Sequence, residues 1–252
     1  MKDSRGLSNP KVHTIRDGVY AITGLYHVSG GMGTNAGIIS SPEAIAFIDS
    51  GMTIASAQFI WNVAQSKIGG DRPLYLILTH HHSDHVFGMR VMKEQGSKVI
   101  AHSATCKFLE NDNGKYKQFI RNLMNWSSEE ADRILGDVWL SVPDLLIDVD
   151  TTLHIGTEIQ LLVTPGHVPS SISVYHPSSR TLFAGDTVYE GLPLTTRFGG
   201  PEEWQVWISQ LERLKNLDIE LICPGHGNLC RKKELDRNIE FLADLMVKME
   251  QG

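Results

Sequence analysis

The chain has 252 residues, of which 41% are hydrophobic, and its formal net charge is −6. This composition allows a sizeable hydrophobic core. The acidic balance, with no basic stripe along any predicted helix, disfavours nucleic acid as a partner and phosphodiesters as substrates. No apolar run is long enough to span a bilayer, and the N-terminus lacks the apolar core of a signal peptide. We therefore expect no membrane partner and a cytoplasmic location.

The first half of the chain is predicted to contain mainly β-strands. Apolar segments on either side of Asp17-Gly18 predict a hairpin over residues 12–23, and residues 36–39 and 44–48 predict a second strand pair. Between these pairs, the glycine-rich residues 30–35 lack the Lys-Ser or Lys-Thr sequel of a phosphate-binding loop. A loop that lines a pocket is the better interpretation.

The next segments alternate between helical and strand patterns. Apolar spacing over residues 54–68 predicts a helix, and residues 74–78 predict a buried strand. A helix near Val86 and a strand at 98–101 complete a β-α-β unit. From about 103 to 140 the pattern is amphipathic helix with a capping box at Ser127–Glu130, which predicts a helical insertion.

The second half of the chain repeats the set of strand and helix patterns found in the first half. Predicted strands cover 152–155, 158–163, 171–175, 181–184 and 220–223, and predicted helices begin at Pro201 and Lys232. Matched sets of strands and helices favour two β-sheets packed face to face with helices outside, an α/β arrangement. We expect one domain over residues 1–252.

The three cysteines, Cys106, Cys223 and Cys230, are odd in number and show no Cys-x-x-Cys spacing. This pattern predicts no disulfide framework. Cys223 lies in an apolar strand, where an inert buried thiol is the better interpretation than a metal ligand or a nucleophile.

Residues 79–85 read Thr-His-His-His-Ser-Asp-His and follow the apolar run 74–78 directly. Polar groups crowded at one end of a buried strand each need a partner to offset lost hydration. A divalent cation satisfies several of them at once. The segment therefore predicts a metal site that uses the pattern His-x-His-x-Asp-His.

Three later segments also place a metal-ligand type of residue after an apolar run that ends at Pro or Gly. These residues are His167, Asp186 and His226. The abrupt ends predict that each side chain lies at the tip of a strand, where functional sites are usual. We expect all three to join the first cluster.

Taken together, these motifs resemble those of the metallo-β-lactamase superfamily, over a match from about Val12 to the C-terminal helix. The resemblance implies an αββα sandwich of two mixed β-sheets with outer helices and a two-metal centre at the sheet edge. The implied ligands are His80, His82 and His167 for one metal, Asp84, His85 and His226 for the other, and Asp186 between both.

The implied donor set suits zinc, with iron or manganese as alternatives, because nitrogen and oxygen ligands discriminate poorly among these ions. Two cations about 3.5 Å apart lower the pKa of a hydroxide held between them. We therefore expect a hydrolase that acts on a carboxylic ester-type bond of a small acyl substrate, with Asp84 taking the hydroxide proton. The bond is a lactone, an ester or a thioester.

Asp186 and Tyr189 refine the expected branch. True β-lactamases of the superfamily carry Cys or Ser where this chain has Asp186, so the pattern is closer to glyoxalase II-like thioesterases and N-acyl homoserine lactonases. The segment after His226 is too short for the glutathione-binding domain of glyoxalase II. Tyr189 lies three residues after Asp186, the same offset at which homoserine lactonases place a tyrosine that assists at the substrate carbonyl. The alternative is that the Tyr189 ring only packs.

Other functions and partners stay open on the sequence. A sulfur dioxygenase with mononuclear iron, β-lactam or phosphoester hydrolysis, and a non-catalytic metal-binding module are the alternatives. Trp204 and Trp207 lie three apart on the predicted helix after Pro201. They favour either a homodimer contact or, by default, burial against the sheet.

Several side chains near the motifs are expected to have accessory roles. Asp49 and Thr79 end strands and are candidates to orient ligand imidazoles. His81 is expected to point away from the metals, and His27 is the outlying histidine with the best chance of facing the site. Three residues of the insertion either line the substrate pocket or pack the insertion onto the body: Met124, Trp126 and Trp139.

Overall fold

The computed structural model describes residues 9–28, 33–112 and 114–250. The strands are β1 (Lys11–Arg16), β2 (Val19–Leu25), β3 (Thr34–Ser40), β4 (Ile45–Ile48), β5 (Leu74–Ile77), β6 (Lys98–His102), β7 (Leu145–Ile147), β8 (Thr151–His154), β9 (Glu158–Val163), β10 (Ile172–His176), β11 (Thr181–Tyr189) and β12 (Leu221–His226). The helices are α1 (Ile54–Lys67), α2 (Ser83–Val86), α3 (Met89–Glu94), α4 (Ser103–Glu110), α5 (Lys115–Leu123), α6 (Ser128–Leu135), α7 (Pro201–Leu214) and α8 (Lys233–Glu250).

The strands form two mixed sheets that meet at one point. The first sheet has the order β1-β2-β3-β4-β5-β6-β7, and the second has the order β12-β11-β10-β9-β8. Pairing is parallel along β4-β5-β6-β7 and between β11 and β12, and antiparallel elsewhere. Strands β3 and β12 pair at Thr34 and His226, which links the two sheets beside a predicted metal ligand.

Strand β4 shows why the sheets are layered with helices. Ile45 and Phe47 pack in a core with α1 and α3, whereas Ala46 and Ile48 pack in a second core between the sheets. Alternate residues of a strand point to opposite faces, so a strand that is apolar throughout needs cover on both. Trp207 of α7 belongs to a third core, on the outer face of the second sheet. The predicted αββα architecture is confirmed.

The predicted elements match the structure closely, with three corrections. One helix was expected near Val86, but α2 and α3 are separate, and a Cβ at Gly88 between them would overlap the backbone oxygen of Ser50. The short edge strand β7 was not predicted. Asp186 was expected at a strand tip and lies inside β11, where the register with β12 shifts on both sides of Gly185.

The expected insertion between β6 and β7 contains α4, α5 and α6, and the capping box at Ser127 and Glu130 is present. Residues 30–32 of the glycine-rich segment, which was predicted to line a pocket, lie outside the described residues. The three cysteines are free, as expected, and Cys223 is buried. Within the described ranges, no helix has both the length and the apolar character needed to cross a membrane.

Candidate metal centre

The structure brings the seven predicted metal-binding side chains together at one edge of the sandwich. Four follow β5 on a loop and the short helix α2, one follows β9, one lies in β11 and one ends β12. They divide into two groups by distance. The first group is His80, His82, His167 and Asp186, and the second is Asp84, His85 and His226.

Within each group the ligand-type atoms lie close enough to share one ion. One nitrogen or oxygen from each member lies within 4.8 Å of those from the others. In the first group, His167 Nε2 lies 2.9 Å from His82 Nδ1. In the second, Asp84 Oδ2 lies 3.3 Å from both His85 Nε2 and His226 Nε2. Both groups therefore have the convergent geometry that a cation site requires.

Asp186 lies between the two groups and presents one oxygen to each. Its Oδ2 lies 3.4 Å from His167 Nε2 and 3.8 Å from His80 Nε2. Its Oδ1 lies 3.1 Å from His85 Nε2 and 3.4 Å from His226 Nε2. A carboxylate in this position can bind two cations at once.

The protein atoms of the centre leave buried polar groups without hydrogen bonds. His80 Nε2, His85 Nε2 and Asp186 Oδ1 are buried and make no hydrogen bond of acceptable geometry. Such orphaned atoms are rare in folded proteins because each costs desolvation free energy. All three belong to the predicted donor set, so the residues present fit a bound metal.

Burial keeps the imidazoles of the first group neutral. It lowers the pKa of His80 well below the ordinary histidine value and lowers the pKa of His82 to about 2. Neighbouring histidines act in the same direction. Neutral imidazole is the form that binds metal, so these rings are ready to ligate at neutral pH.

The second group carries the opposite perturbation. Burial lowers the pKa of His85 and His226, but nearby carboxylates outweigh it and raise both values, that of His226 to about 10. Burial likewise raises the pKa of Asp84 and Asp186, and the two histidines reverse that effect and hold both carboxyl pKa values well below normal. The buried carboxylates thus need compensating positive charge, which a cation can supply.

Asp49 and Thr79 orient two of the imidazoles through the nitrogens that face away from the centre. His85 Nδ1 lies 2.7 Å from Asp49 Oδ2, and Thr79 Oγ1 lies 3.1 Å from His80 Nδ1. Thr79 also donates its N–H and its hydroxyl to Asp49. Such contacts fix ring orientation and tautomer in metal sites. The hydrogen bonds expected of these two residues are therefore present.

Backbone carbonyls fix two further rings. His226 Nδ1 lies 2.8 Å from the carbonyl oxygen of Gly33, and His167 Nδ1 lies 3.2 Å from that of Thr195. Both rings therefore point their Nε2 atoms into the centre.

Two residues of β3 contribute to the site and were not assigned from the sequence, and a histidine of the segment before β3 contributes as well. Thr34 Oγ1 donates to Asp84 Oδ2 at 2.8 Å. Asn35 Nδ2 donates to the carbonyl oxygens on both sides of His226, those of residues 224 and 227. His27 Nε2 lies 3.7 Å from Asp84 Oδ2, which is the placement anticipated for this histidine. No sequence spacing to the metal motif marks Thr34 or Asn35.

Tyr189 and Gly225 contact the Asp186 carboxylate. Tyr189 Oη donates to Asp186 Oδ2 at 2.6 Å, and its ring is buried against His226. A Cβ at Gly225 would overlap Asp186 Oδ1. The absence of a side chain at Gly225 therefore leaves room for Asp186 between the two groups.

The remaining candidates either pack against the body of the protein or line a cavity away from the centre. Trp204 and Trp207 are buried against the second sheet, the default interpretation. Trp126 and Met124 are partly buried against the core that β4 shares with α1 and α3. Trp139 is 40% exposed and lines a separate cavity of about 330 Å³ at the insertion.

His81 does not join the metal-binding groups. Its Nδ1 lies 3.1 Å from Ser170 Oγ, and its ring packs on Phe108. This placement agrees with the expectation that it points away from the metals.

Comparison with known proteins agrees with this geometry. The family model described as Metallo-beta-lactamase superfamily matches residues 29–226. The chain is 27% identical to the probable metallo-hydrolase YqgX of Bacillus subtilis, over 75% of this chain and 82% of that protein. It is 24% identical to the acyl-coenzyme A thioesterase MBLAC2 of Gallus gallus, over 87% and 81% of the two chains.

A solved metallo-beta-lactamase from Pontibacter korlensis superposes with a TM-score of 0.75 at 19% identity, over 94% of this chain and all of that one. That likeness concerns the fold. The family model covers most of the chain and ends on the metal-ligand candidate His226. The chain therefore belongs to the metallo-beta-lactamase superfamily, as a hydrolase with a His/Asp metal-binding site.

Proposed function

We propose that this protein is a dinuclear metal-dependent hydrolase of a carboxylic ester-type bond: a lactone, an ester or a thioester. The observation that carries the proposal is the position of Asp186, with Oδ2 toward the first group and Oδ1 toward the second. A thioester receives additional support from the similarity to MBLAC2, a protein named as an acyl-coenzyme A thioesterase.

In this proposal each group holds one divalent cation, most readily zinc, with iron and manganese as alternatives. His80, His82 and His167 would hold the first, Asp84, His85 and His226 the second, and Asp186 would contact both. Bound cations supply Lewis acidity and lower the pKa of water, which makes a nucleophile available at neutral pH.

Two side chains would move protons during the reaction. Asp84 accepts a proton from the attacking water on a carboxylate oxygen, while Thr34 holds the carboxylate in place through Oδ2. Tyr189, whose Oη donates to Asp186 Oδ2 in this structure, would redirect that donation to the leaving oxygen of an ester as negative charge develops there. Burial, and next the neighbouring Asp186, raise the pKa of Tyr189 well above its ordinary value. The phenol therefore keeps its proton at neutral pH.

A panel assay tests the proposal. Chelator-treated protein is reloaded with zinc, iron(II) or manganese and incubated with an ester, a thioester, a lactone, a β-lactam and a phosphoester, with oxygen uptake recorded in parallel. We expect metal-dependent hydrolysis of a carboxylic ester-type substrate, and its loss in Asp186→Ala.

Two results contradict the proposal. One is near-normal hydrolysis by Asp186→Ala at full metal content. The other is activity confined to the phosphoester or the β-lactam, or turnover that consumes oxygen.

A further inference from the structure

Four aromatic rings form a continuous row beside the first metal-binding group. The ring centroids of Phe108 and His81 are 4.2 Å apart, those of His81 and His82 are 4.9 Å apart, and those of His82 and Phe198 are 4.4 Å apart. These separations are within the range of direct aromatic contact. We call Phe108, His81, His82 and Phe198 the ring row.

The ring row lies where the described part of the centre meets solvent. His82 is only partly buried, whereas the other members of the two metal-binding groups are buried. The rings at the two ends are more exposed, Phe108 by 39% and Phe198 by 44%. Solvent therefore reaches the first group beside His82, whose ring contacts Phe198 on one side and His81 on the other.

The two phenylalanines come from different parts of the chain. Phe108 belongs to α4 of the insertion, and Phe198 belongs to the segment between β11 and α7. An exposed phenylalanine ring buries apolar area when a ligand covers it, and apolar rings beside a few polar groups are typical of a ligand-binding site. Phe198 lies next to the metal-ligand candidate His82, and Phe108 lies next to His81 in the same segment. The two apolar rings therefore flank the part of the metal motif that is open to solvent.

The apolar surface continues from Phe108 along the insertion. Phe108 and Tyr116 have centroids 5.0 Å apart, and Phe119, 56% exposed, lies beyond Tyr116. Tyr116 is itself anchored to the centre, because its Oη accepts the N–H of Ser83 at 2.8 Å. The surface is thus fixed to α2, which carries Asp84 and His85.

We infer that the ring row binds the hydrophobic acyl group of the substrate, so that the substrate is an ester or thioester of an extended apolar acid rather than of acetate. This inference rests on the proposed function. The two phenylalanines of the row are exposed apolar rings. The guanidinium of Arg197 lies over the Phe198 ring, 4.9 Å from its centroid. Burial of an acyl methylene against such rings strengthens binding by about threefold to fourfold.

The test combines turnover with a binding measurement that needs no reaction. Hydrolysis of acetyl, butanoyl, hexanoyl and octanoyl thioesters with one common leaving group gives kcat/KM against chain length. Calorimetry with the matching linear carboxylates on zinc-loaded protein gives the same dependence for binding. We expect both to rise about threefold per added methylene.

Phe108→Ala removes an end ring that contacts none of the proposed metal ligands. We expect the rise per methylene to fall below about twofold in both measurements. Trp139→Ala is the matched control, because it removes an aromatic ring of similar exposure outside the row. Trp139→Ala should keep the same rise per methylene as the wild type in both measurements.

Equal kcat/KM and equal carboxylate binding at all chain lengths would overturn the inference and leave the proposed function standing. An undiminished rise per methylene in Phe108→Ala would likewise overturn the inference and leave the proposed function standing. Absence of turnover at every chain length, for these thioesters and for the matching oxygen esters and lactones, would overturn the proposed function itself, and the inference with it.

Discussion

The buried carboxylate of Asp49 lies 2.7 Å from Nδ1 of His85 and joins three elements of the fold at the metal centre. Asp49 directly follows β4 and has a φ of 60°, in the left-handed region. It also accepts the N–H and the hydroxyl of Thr79, which follows β5. One carboxylate therefore sets the position of β5 relative to α2 and the direction of the His85 ring.

Asp49→Asn tests this link. Asparagine has the same shape and tolerates a positive φ. However, it replaces one carboxylate oxygen with an NH2 group, which cannot accept the hydrogen bonds that Asp49 Oδ2 receives from Thr79 and His85. We expect zinc affinity of the second group to fall about 10-fold to 100-fold, measured by competition with a chelator. Asp71→Asn changes an exposed carboxylate and serves as the control. An affinity within twofold of the wild type would refute the orienting role.

Gly225→Ala tests the position of Asp186. A methyl group at Gly225 overlaps Asp186 Oδ1, so the carboxylate has to leave its place between the two groups. We expect loss of at least one bound ion per chain and a decrease of about 1–3 kcal/mol in the free energy of unfolding. At Gly200 a new Cβ would meet its nearest neighbour at 3.7 Å, so Gly200→Ala is the matched control. Full metal content in Gly225→Ala would contradict this account of the site.

Tyr189→Phe separates a catalytic phenol from a packing ring. If Oη protonates the leaving group, kcat falls about 10-fold to 100-fold for an alkyl ester, with KM and metal content nearly unchanged. The loss should be smaller for a thioester, because a thiolate needs less assistance. Steady-state kinetics on both substrates give the result. An equal loss for the two leaving groups at full metal content would contradict protonation of the leaving group and place the donation at the substrate carbonyl oxygen. A loss of metal content would assign Tyr189 a structural role through Asp186.

His176 predicts a pH dependence of stability that is independent of the metal centre. It is buried between Thr157 and Ser179, and burial, followed by the charge of Arg16, lowers its pKa. As the pH falls, His176 therefore becomes protonated near pH 6.5 in the unfolded chain but only at a lower pH in the folded chain. Stability from this residue is complete above pH 6.5 and falls as pH decreases, by at most about 1.4 kcal/mol per pH unit.

His176→Gln removes that titration. Chemical unfolding at pH 7.5 and pH 5.5, with both proteins in the same metal state, should show a smaller loss of stability in the variant than in the wild type. Parallel losses would mean that His176 accepts a proton in the folded chain without cost.

The metal-binding side chains could be predicted because their signal is local. His80 to His85 occupy one short segment after an apolar strand, and His167 and His226 each follow a Pro-Gly pair. Local patterns of this kind also located nearly all strands and helices. The breaks at Gly88 and at Gly185 were missed because they arise from close approach to distant backbone and side-chain atoms.

The supporting residues depend on contacts between distant parts of the chain, which no spacing reveals. Thr34 and Asn35 reach the centre because β3 meets β12 at His226. Phe108 and Phe198 meet the histidines from opposite sides, through an insertion and a loop. Strand β7 was not predicted because it has only three residues and two of them are exposed, so it shows no alternating burial pattern.

Anomalous diffraction at the zinc edge, from crystals of zinc-loaded protein, tests the central claim most directly. The account predicts two peaks per chain. One should lie about 2.0–2.1 Å from the nitrogens of His80, His82 and His167, and the other should contact Asp84, His85 and His226. Asp186 should place one oxygen on each ion. A single peak would contradict a dinuclear centre, and a second peak that Asp186 does not touch would contradict its position between two ions.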